Sequence, residues 1–161
     1  MMKATGIVRR IDDLGRIVIP KEIRRTLHIR ESDPLEIFTD REGQVILKKY
    51  SPIGEMTTFA KQYAESLAQV SGHATLIADR DQFIAVSGGC KQLLNKSVSR
   101  QLEEKVNNRE TVIAAKGDRN YVNIAEDIAV DYAWQLITPI ICEGDIIGSV
   151  ILLENDGKSK M

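Results

Sequence analysis

Residues 3–50, KATGIVRRIDDLGRIVIPKEIRRTLHIRESDPLEIFTDREGQVILKKY, decide the fold of this chain. Apolar residues occur there in short β-rich runs that are separated by Asp, Gly and Pro, the residues that favour turns. The runs predict extended segments over residues 5–11, 16–19, 34–40 and 44–50, the last two forming a hairpin around residues 41–43. Pro20 suits the first turn of a helix, because its missing N–H is not needed there, and predicts a helix over residues 20–28.

The same stretch is too short to cover its own apolar surface. A unit of about 50 residues lies in the size range where one chain struggles to bury enough area to be stable. Runs such as Ile17-Val18-Ile19 and Val45-Ile46-Leu47 are continuous rather than alternating, which is typical of strands covered on both faces. We therefore expect residues 1–50 to form a dimer with a second copy of the chain.

The net charge of −1 hides a basic N-terminal block. Residues 1–50 hold 11 Lys and Arg against 8 Asp and Glu, whereas residues 51–161 hold 11 against 15. The first 30 residues alone have a net charge of +5. Such a block on an otherwise acidic chain indicates a polyanion partner, although a solvated basic face would look the same by charge alone.

Helical spacing places the cations of the predicted helix together. At about 100° per residue, Lys21, Arg24, Arg25 and His28 fall in one sector, and the apolar side chains point the opposite way. Guanidinium groups bind phosphates with two parallel hydrogen bonds and can also read guanine edges. Further cations flank the turn at residues 12–15 or precede it. The sequence therefore predicts a double-stranded DNA partner and a DNA-binding set of Lys3, Arg9, Arg10, Arg16, Lys21, Arg24 and Arg25.

The rest of the chain is predicted as a second domain of α+β class. Pro52 and Gly54 indicate a linker over residues 51–55, before a domain over residues 56–161. A helix over residues 56–70 carries a narrow apolar seam typical of helix–helix packing, formed by Met56, Ala60, Tyr63, Leu67 and Val70. A second helix is predicted over residues 94–106 and strands over 73–79, 82–87, 111–115, 134–142 and 146–154, while residues 116–131 have no assignable periodicity.

Several classes of protein are disfavoured. The chain has no carboxylate pair, nucleophile–base pair or phosphate-binding glycine loop, so we do not expect an enzyme. Its two cysteines, Cys90 and Cys142, lack metal-ligand spacing, and no metal or cofactor is expected. No apolar run reaches the roughly 20 residues of a membrane span, and the N-terminus lacks a secretory signal. These features predict a cytoplasmic protein without a membrane partner.

Residues 3–50 closely resemble the AbrB-type transition-state regulators. The specific pieces are Thr5-Gly6-Ile7-Val8-Arg9, Asp12-Asp13-Leu14-Gly15-Arg16, Ile19-Pro20-Lys21-Glu22, Arg24-Arg25-Thr26-Leu27 and Ile46-Leu47-Lys48-Lys49-Tyr50. The resemblance implies a swapped-hairpin β-barrel in which two chains interleave. It also implies that arginines at the positions of Arg9, Arg16, Arg24 and Arg25 recognise DNA, in a protein associated with the nucleoid.

Beyond residue 50 the chain is similar to sporulation regulators of this type, whose barrel is followed by a GAF-like α/β domain. The similar pieces include Phe59-Ala60-Lys61-Gln62-Tyr63-Ala64, Ile84-Ala85-Val86-Ser87-Gly88 and Gly144-Asp145-Ile146-Ile147-Gly148. The resemblance implies control of sporulation or transition-state genes and tetramer formation through the GAF-like helices. A GAF-like domain usually continues into a C-terminal helix, whereas residues 156–161 read as a polar tail and predict that this helix is lacking.

The sequence is also compatible with two other functions. Similar barrels occur in antitoxins, where a disordered acidic tail wraps a toxin, although residues 51–161 are predicted to fold. The GAF-like domain could instead bind a small molecule, but no charged pocket constellation identifies one. The predicted partners are therefore DNA and a second copy of the chain, with the small-molecule ligand unknown.

Overall fold

The computed structural model describes residues 3–155 of the chain. The chain folds as two compact units, Met1–Tyr50 and Ser51–Met161. The first unit contains helix α1 (Lys21–Thr26) and strands β1 (Leu35–Thr39) and β2 (Val45–Lys49). The second contains helices α2 (Pro52–Glu55), α3 (Thr57–Ser71) and α4 (Arg100–Asn107), and strands β3 (Ala74–Ala78), β4 (Phe83–Ser87), β5 (Val112–Ala115), β6 (Trp134–Cys142) and β7 (Asp145–Glu154).

Strands β1 and β2 form the hairpin that the sequence predicts. They pair antiparallel from Leu35 opposite Lys49 to Thr39 opposite Val45. The Asp40 carboxylate closes the turn, because its Oδ1 accepts hydrogen bonds from the N–H groups of Glu42 and Gln44 at 3.0 and 2.8 Å. Gly43 has a φ of +81°, a conformation that glycine adopts without steric cost.

Residues 5–11 and 16–19 are not strands in the single chain, contrary to the prediction. Their apolar side chains are instead exposed, Val8 by 84% and Val18 by 71%. A strand needs a neighbouring strand to pair its N–H and C=O groups, and residues 3–50 provide only β1 and β2, which pair with each other. Residues 5–11 and 16–19 therefore have no strand partner within the described part of the single chain.

The helix α1 ends earlier than predicted. Its last turn closes with hydrogen bonds from Ile29 N to Arg24 O at 2.8 Å and from His28 N to Arg25 O at 3.4 Å. These two bonds are those of a Schellman motif, which places His28 at the left-handed position after the helix, with φ +52°. His28 therefore lies outside the helical face on which the sequence placed it.

The first unit has almost no interior of its own. Among residues 3–50, Pro20 alone is buried. Large apolar side chains are exposed on both faces of the hairpin, including Ile37 at 66%, Phe38, Val45 and Ile46. Burial of apolar surface is the main force that stabilises a fold and contributes about 25 cal/mol for each Å². One copy of this unit buries little apolar surface and therefore gains little of this stabilisation.

The second unit is a five-stranded antiparallel sheet in the order β4-β3-β7-β6-β5. Helix α3 packs on β3 and β4 through the small buried residues Ala60 and Ala64, together with Ile77, Ile84 and Ala85. The opposite face is covered by α4 and by the loop between β5 and β6, around Phe83, Leu102, Ile124 and Ile151. Both units together make an α+β fold, and no helix within residues 3–155 is long and apolar enough to cross a bilayer.

Two segments of the second unit differ from the predictions, and a third had no predicted structure. The expected linker contains α2, whose N-cap is Ser51 and whose Ile53 packs in the α3 cluster. The helix predicted over residues 94–106 begins only at Arg100, since Asn95 has a φ of +62° and Ser99 caps α4. The unassigned residues 116–131 form a loop whose Val122, Ile124 and Ala125 are buried in the core. The predicted polar tail, residues 156–161, lies outside the described residues.

Candidate nucleic-acid interface

All seven cations of the predicted DNA-binding set are exposed in the first unit. Lys21, Arg24 and Arg25 lie on α1. The others lie before and after the turn at residues 12–15. Pro20 is the N-cap of α1, with a φ of −56°, and its carbonyl accepts from Arg24 N at 3.0 Å, so the helix that carries the basic residues begins one residue later than predicted, at Lys21.

The cations differ in what holds them. Arg24 Nε donates to Ile19 O at 3.1 Å, which fixes its guanidinium against the segment that enters α1. Arg9 Nη1 makes only a 3.3 Å contact with the carbonyl of the preceding residue. Within residues 3–155, no side-chain hydrogen bond or ion pair engages Lys3, Arg10, Lys21 or Arg25. These four are thus available for an external anion, which suits phosphate binding.

Arg16 is the exception, because it is bound to a carboxylate. Asp12 Oδ2 accepts from Arg16 Nε at 2.7 Å, while Asp12 Oδ1 accepts from the N–H groups of Leu14 and Arg16 at 3.0 and 2.8 Å. Gly15 lies between them with a φ of +77°, which favours glycine. These bonds lower the pKa of Asp12, first through the backbone N–H of Arg16 and then through its side chain, and the carboxylate stays ionised at neutral pH.

Sequence reasoning treated Asp12 only as a turn former and missed its contact with Arg16. The signal was present in the spacing: an aspartate, a glycine three residues later and an arginine four residues later. That spacing brings the arginine side chain back to the carboxylate that caps the turn. Asp12 therefore lies in the candidate interface as the residue that binds the Arg16 side chain.

The second unit offers two further polar clusters. Cys90 is buried, and its Sγ lies 2.8 Å from the Tyr132 hydroxyl, while Tyr121 Oη donates to Tyr132 O at 2.9 Å. Burial raises the pKa of the Cys90 thiol despite the opposing hydrogen bond from Tyr132, so the thiol stays protonated. A protonated, buried thiol is a packing residue rather than a nucleophile.

A cavity near Asp79 and Ser149 is too small for a metabolite. Its volume is about 10 Å³, whereas small-molecule sites measure roughly 300–1,000 Å³. The Asp79 carboxylate is already engaged by the N–H groups of Asp81 and Gln82, both at 2.8 Å, and by the Ser51 hydroxyl at 3.1 Å. Within residues 3–155, no group of three or more His, Cys, Asp or Glu side chains is placed to hold a metal ion.

Comparison with known proteins places the chain in a family. A family model described as the stage V sporulation protein T C-terminal, transcription factor, matches residues 55–161. Stage V sporulation protein T of Bacillus subtilis is 56% identical over 156 residues, which cover 96% of this chain and 86% of that protein. The chain belongs to the stage V sporulation protein T family. The match to that relative spans both units, since it covers nearly the whole chain.

The N-terminal unit has further relatives. The transition state regulatory protein AbrB of Bacillus subtilis is 43% identical over 108 residues, 67% of this chain and 93% of that protein. The solution structure of the N-domain of the transcription factor abrB is 63% identical, covers 32% of this chain and 98% of its own, and superposes with a TM-score of 0.29. A family model described as antidote-toxin recognition MazE, bacterial antitoxin, matches residues 8–55.

Proposed function

We propose that this chain is a DNA-binding transcription regulator of sporulation and transition-state genes, not an enzyme. One observation carries the proposal: the first unit exposes a set of cations, and four of them have no intramolecular partner among the described residues. The family model for the C-terminal region is described as a transcription factor, and AbrB is a transition state regulatory protein, which supports the same function.

In this proposal most of the basic residues neutralise phosphates. Lys3, Arg10, Lys21 and Arg25 contribute full positive charges that no carboxylate offsets. Each neutralised phosphate releases counterions, so the slope of log affinity against log salt becomes steeper by about 0.9 per contact. In a dimer every residue counts twice, which makes a single substitution measurable.

The test is fluorescence anisotropy with a random-sequence 30-base-pair duplex over a salt series. Arg25→Ala should weaken binding severalfold at low salt and make the salt slope shallower by about 1.8 if both copies contact phosphate. Arg119→Ala is the matched control, because it removes the same charge from an exposed position in the second unit. Equal effects of the two substitutions would show that α1 is not the contact surface.

The proposed DNA-binding form is a homodimer of the first unit, built as a swapped-hairpin β-barrel. The exposed apolar side chains of residues 5–19 and of the β1–β2 hairpin support this arrangement, since an interleaved copy would bury both sets. A light-scattering mass near the 18.0-kDa value of one chain would rule it out.

We further propose that the second unit, as a GAF-like domain over residues 56–161, joins two dimers into a tetramer. Helix α3 turns Ala60 and Ala64 toward the sheet and leaves an apolar stripe exposed, which includes Phe59, Tyr63 at 64% and Val70 at 91%. Tyr63→Glu should halve the mass measured by light scattering, whereas Gln62→Glu, its neighbour on α3, should leave it unchanged. A wild-type mass of two chains would refute the tetramer.

A second candidate is an antitoxin-like protein that binds a toxin and its own operator. The family model of bacterial antitoxins that matches residues 8–55 favours it. The folded sheet of residues 74–154 argues against it, because the antitoxin class is expected to have a disordered acidic tail in this place. A stable complex with a small toxin in a pull-down would revive this function.

As a regulator that binds chromosomal DNA, the protein is proposed to act in the cytoplasm on the nucleoid. The proposal includes no cofactor, metal or membrane partner, and it assigns no small-molecule ligand to the GAF-like domain. A screen of metabolites by thermal shift would identify a ligand as a compound that raises the melting temperature.

A further inference from the structure

The two turns of the first unit have the same backbone design. Asp12 N donates to Arg16 O at 3.0 Å, and Asp40 N donates to Gln44 O at 3.2 Å. In each turn the aspartate Oδ1 caps the N–H groups two and four residues later, at 3.0 and 2.8 Å in both cases. A glycine with a φ near +80° lies at the fourth position of both turns.

The turns differ in the side chain four residues after the aspartate. In the second turn this residue is Gln44, whose amide donates to Glu42 rather than to Asp40. The backbone cap therefore forms without a guanidinium group. It follows that the 2.7 Å bond from Arg16 Nε to Asp12 Oδ2 is additional to what the turn requires.

The bond leaves Arg16 with a particular set of donors. Its Nε is occupied by Asp12, so the two terminal nitrogens, Nη1 and Nη2, remain for a ligand, and the side chain is still 70% exposed. Two parallel terminal N–H groups match the O6 and N7 acceptors of guanine in the major groove. Holding the side chain in one orientation also reduces the entropy that is lost on binding.

The carboxylate changes which DNA group Arg16 favours. The Asp12–Arg16 pair is close to neutral as a unit, so its attraction to phosphate is weak, whereas its terminal N–H groups keep their geometry. The cations without partners, such as Arg10 and Arg25, keep a full charge and favour phosphate. All contacts of the pair lie within five consecutive residues of one chain.

We infer that Asp12 is a positioning residue that holds Arg16 to read a guanine base edge, which makes this pair a determinant of DNA sequence preference. The inference rests on the proposed DNA-binding function. It separates two roles among the arginines: Arg16 specifies sequence, and the arginines without carboxylate partners supply affinity that is independent of sequence.

To test the inference, the full chain is used to select tight binders from a random 30-base-pair duplex pool. Its affinities for the enriched duplex and for the unselected pool are then measured by fluorescence anisotropy. Asp12→Asn keeps an amide oxygen that can cap the turn but removes the acceptor for Arg16 Nε. For each copy of the pair that contacts the duplex, we expect it to reduce the ratio of the two affinities on the order of tenfold, the discrimination of one good bidentate contact. Binding to the unselected pool should be no weaker than wild type and its salt slope no shallower, because removing the carboxylate restores the full charge of Arg16 for phosphate.

Two control variants lose the same charge. Asp13→Asn removes the neighbouring carboxylate, and Asp40→Asn alters the cap of the equivalent turn, where Gln44 stands at the position of Arg16. Both should retain the affinity ratio of the wild type. Arg16→Lys should lower the affinity ratio as Asp12→Asn does. Adding Asp12→Asn to Arg16→Lys should change the ratio little further, because Asp12 acts through the guanidinium.

A modified base provides the readout that a purely structural role would not change. Replacing the enriched guanine by 7-deazaguanine removes the N7 acceptor and should weaken wild-type binding but leave Asp12→Asn and Arg16→Lys almost unaffected. Equal behaviour of Asp12→Asn and Asp13→Asn, or insensitivity of the wild type to every 7-deazaguanine, would overturn the inference while DNA binding stands. Failure of the wild type to bind any duplex would overturn the proposed function as well.

Discussion

Gly148 in β7 is the position where one added methyl group should damage the second unit most. A Cβ built there would lie 2.1 Å from Ala78 O and 2.9 Å from Ile53 Cδ1. Ordinary contacts of this kind are about 3.4 Å or longer, so β7 must move away from β3 by more than about 1 Å. The Ala78–Ser149 register pair lies beside the clash, and the shift would disturb the β3–β7 ladder there.

The expected cost of Gly148→Ala follows from these contacts. Overpacking a core costs roughly 1–3 kcal/mol, and weakening one or two ladder hydrogen bonds adds about 1 kcal/mol each. The estimate is therefore about 3 kcal/mol, which lowers the melting temperature of a unit of this size by roughly 12 °C. Trp134 is the only tryptophan of the chain and lies in β6 of the same sheet, so its fluorescence reports unfolding of this unit.

Gly117→Ala is the matched control for this experiment. Gly117 has a φ of +94°, but no atom lies within 4 Å of its built Cβ. Its substitution should cost only the backbone strain, about 1 kcal/mol. If Gly148→Ala lowered the melting temperature no more than Gly117→Ala does, the steric argument at the β3–β7 contact would be refuted.

Two further substitutions test the helix ends. His28→Gly should stabilise the chain by about 0.5–1 kcal/mol, because His28 occupies the left-handed position that ends α1; a lower urea midpoint at unchanged slope would contradict this. Ser99→Ala should destabilise by about 1–2 kcal/mol, since Ser99 Oγ caps Leu102 N at 3.0 Å and also donates to Asn123 O. Ser97 is exposed, so Ser97→Ala is the control and should change stability by less than about 0.5 kcal/mol. A similar loss in both variants would show that the Ser99 cap contributes nothing.

The sheet of the second unit could be predicted from its sequence because its strands are long or bounded by clear turns. The β6–β7 hairpin is the clearest case: the prediction of residues 134–142 agrees with β6 (Trp134–Cys142), and β7 starts one residue earlier than expected. For α4, the four-residue spacing of apolar residues predicted the start of the helix less accurately. Leu94 and Val98 continue the spacing of Leu102 and Val106, but they precede the Ser99 cap and lie in a loop.

Residues 116–131 could not be assigned because long-range contacts hold them instead of local periodicity. Asn123 N donates to the Gln101 side chain at 2.9 Å, and Ser99 N donates to Ile124 O at 2.9 Å. Val98 also forms a bridge with Ala125. Each partner is distant along the chain, 22 residues in the case of Asn123 and Gln101, so no local pattern could indicate these contacts.

In the candidate interface the charges could be predicted from the sequence, but the geometry of one contact could not. The cations themselves were predictable, because composition and helical spacing are properties of short stretches. The contact of Arg16 with Asp12 was not predicted, since the acidic residues of the turn were read as turn formers and as negative terms in a charge count. A charge count subtracts Asp12 from the positive charge of the block, as though this residue only weakened DNA binding. Because Asp12 lies four residues before Arg16, it instead holds the Arg16 side chain in one orientation. The net charge of a basic segment thus measures its attraction for phosphate, but the carboxylates that pair with individual arginines indicate where sequence preference arises.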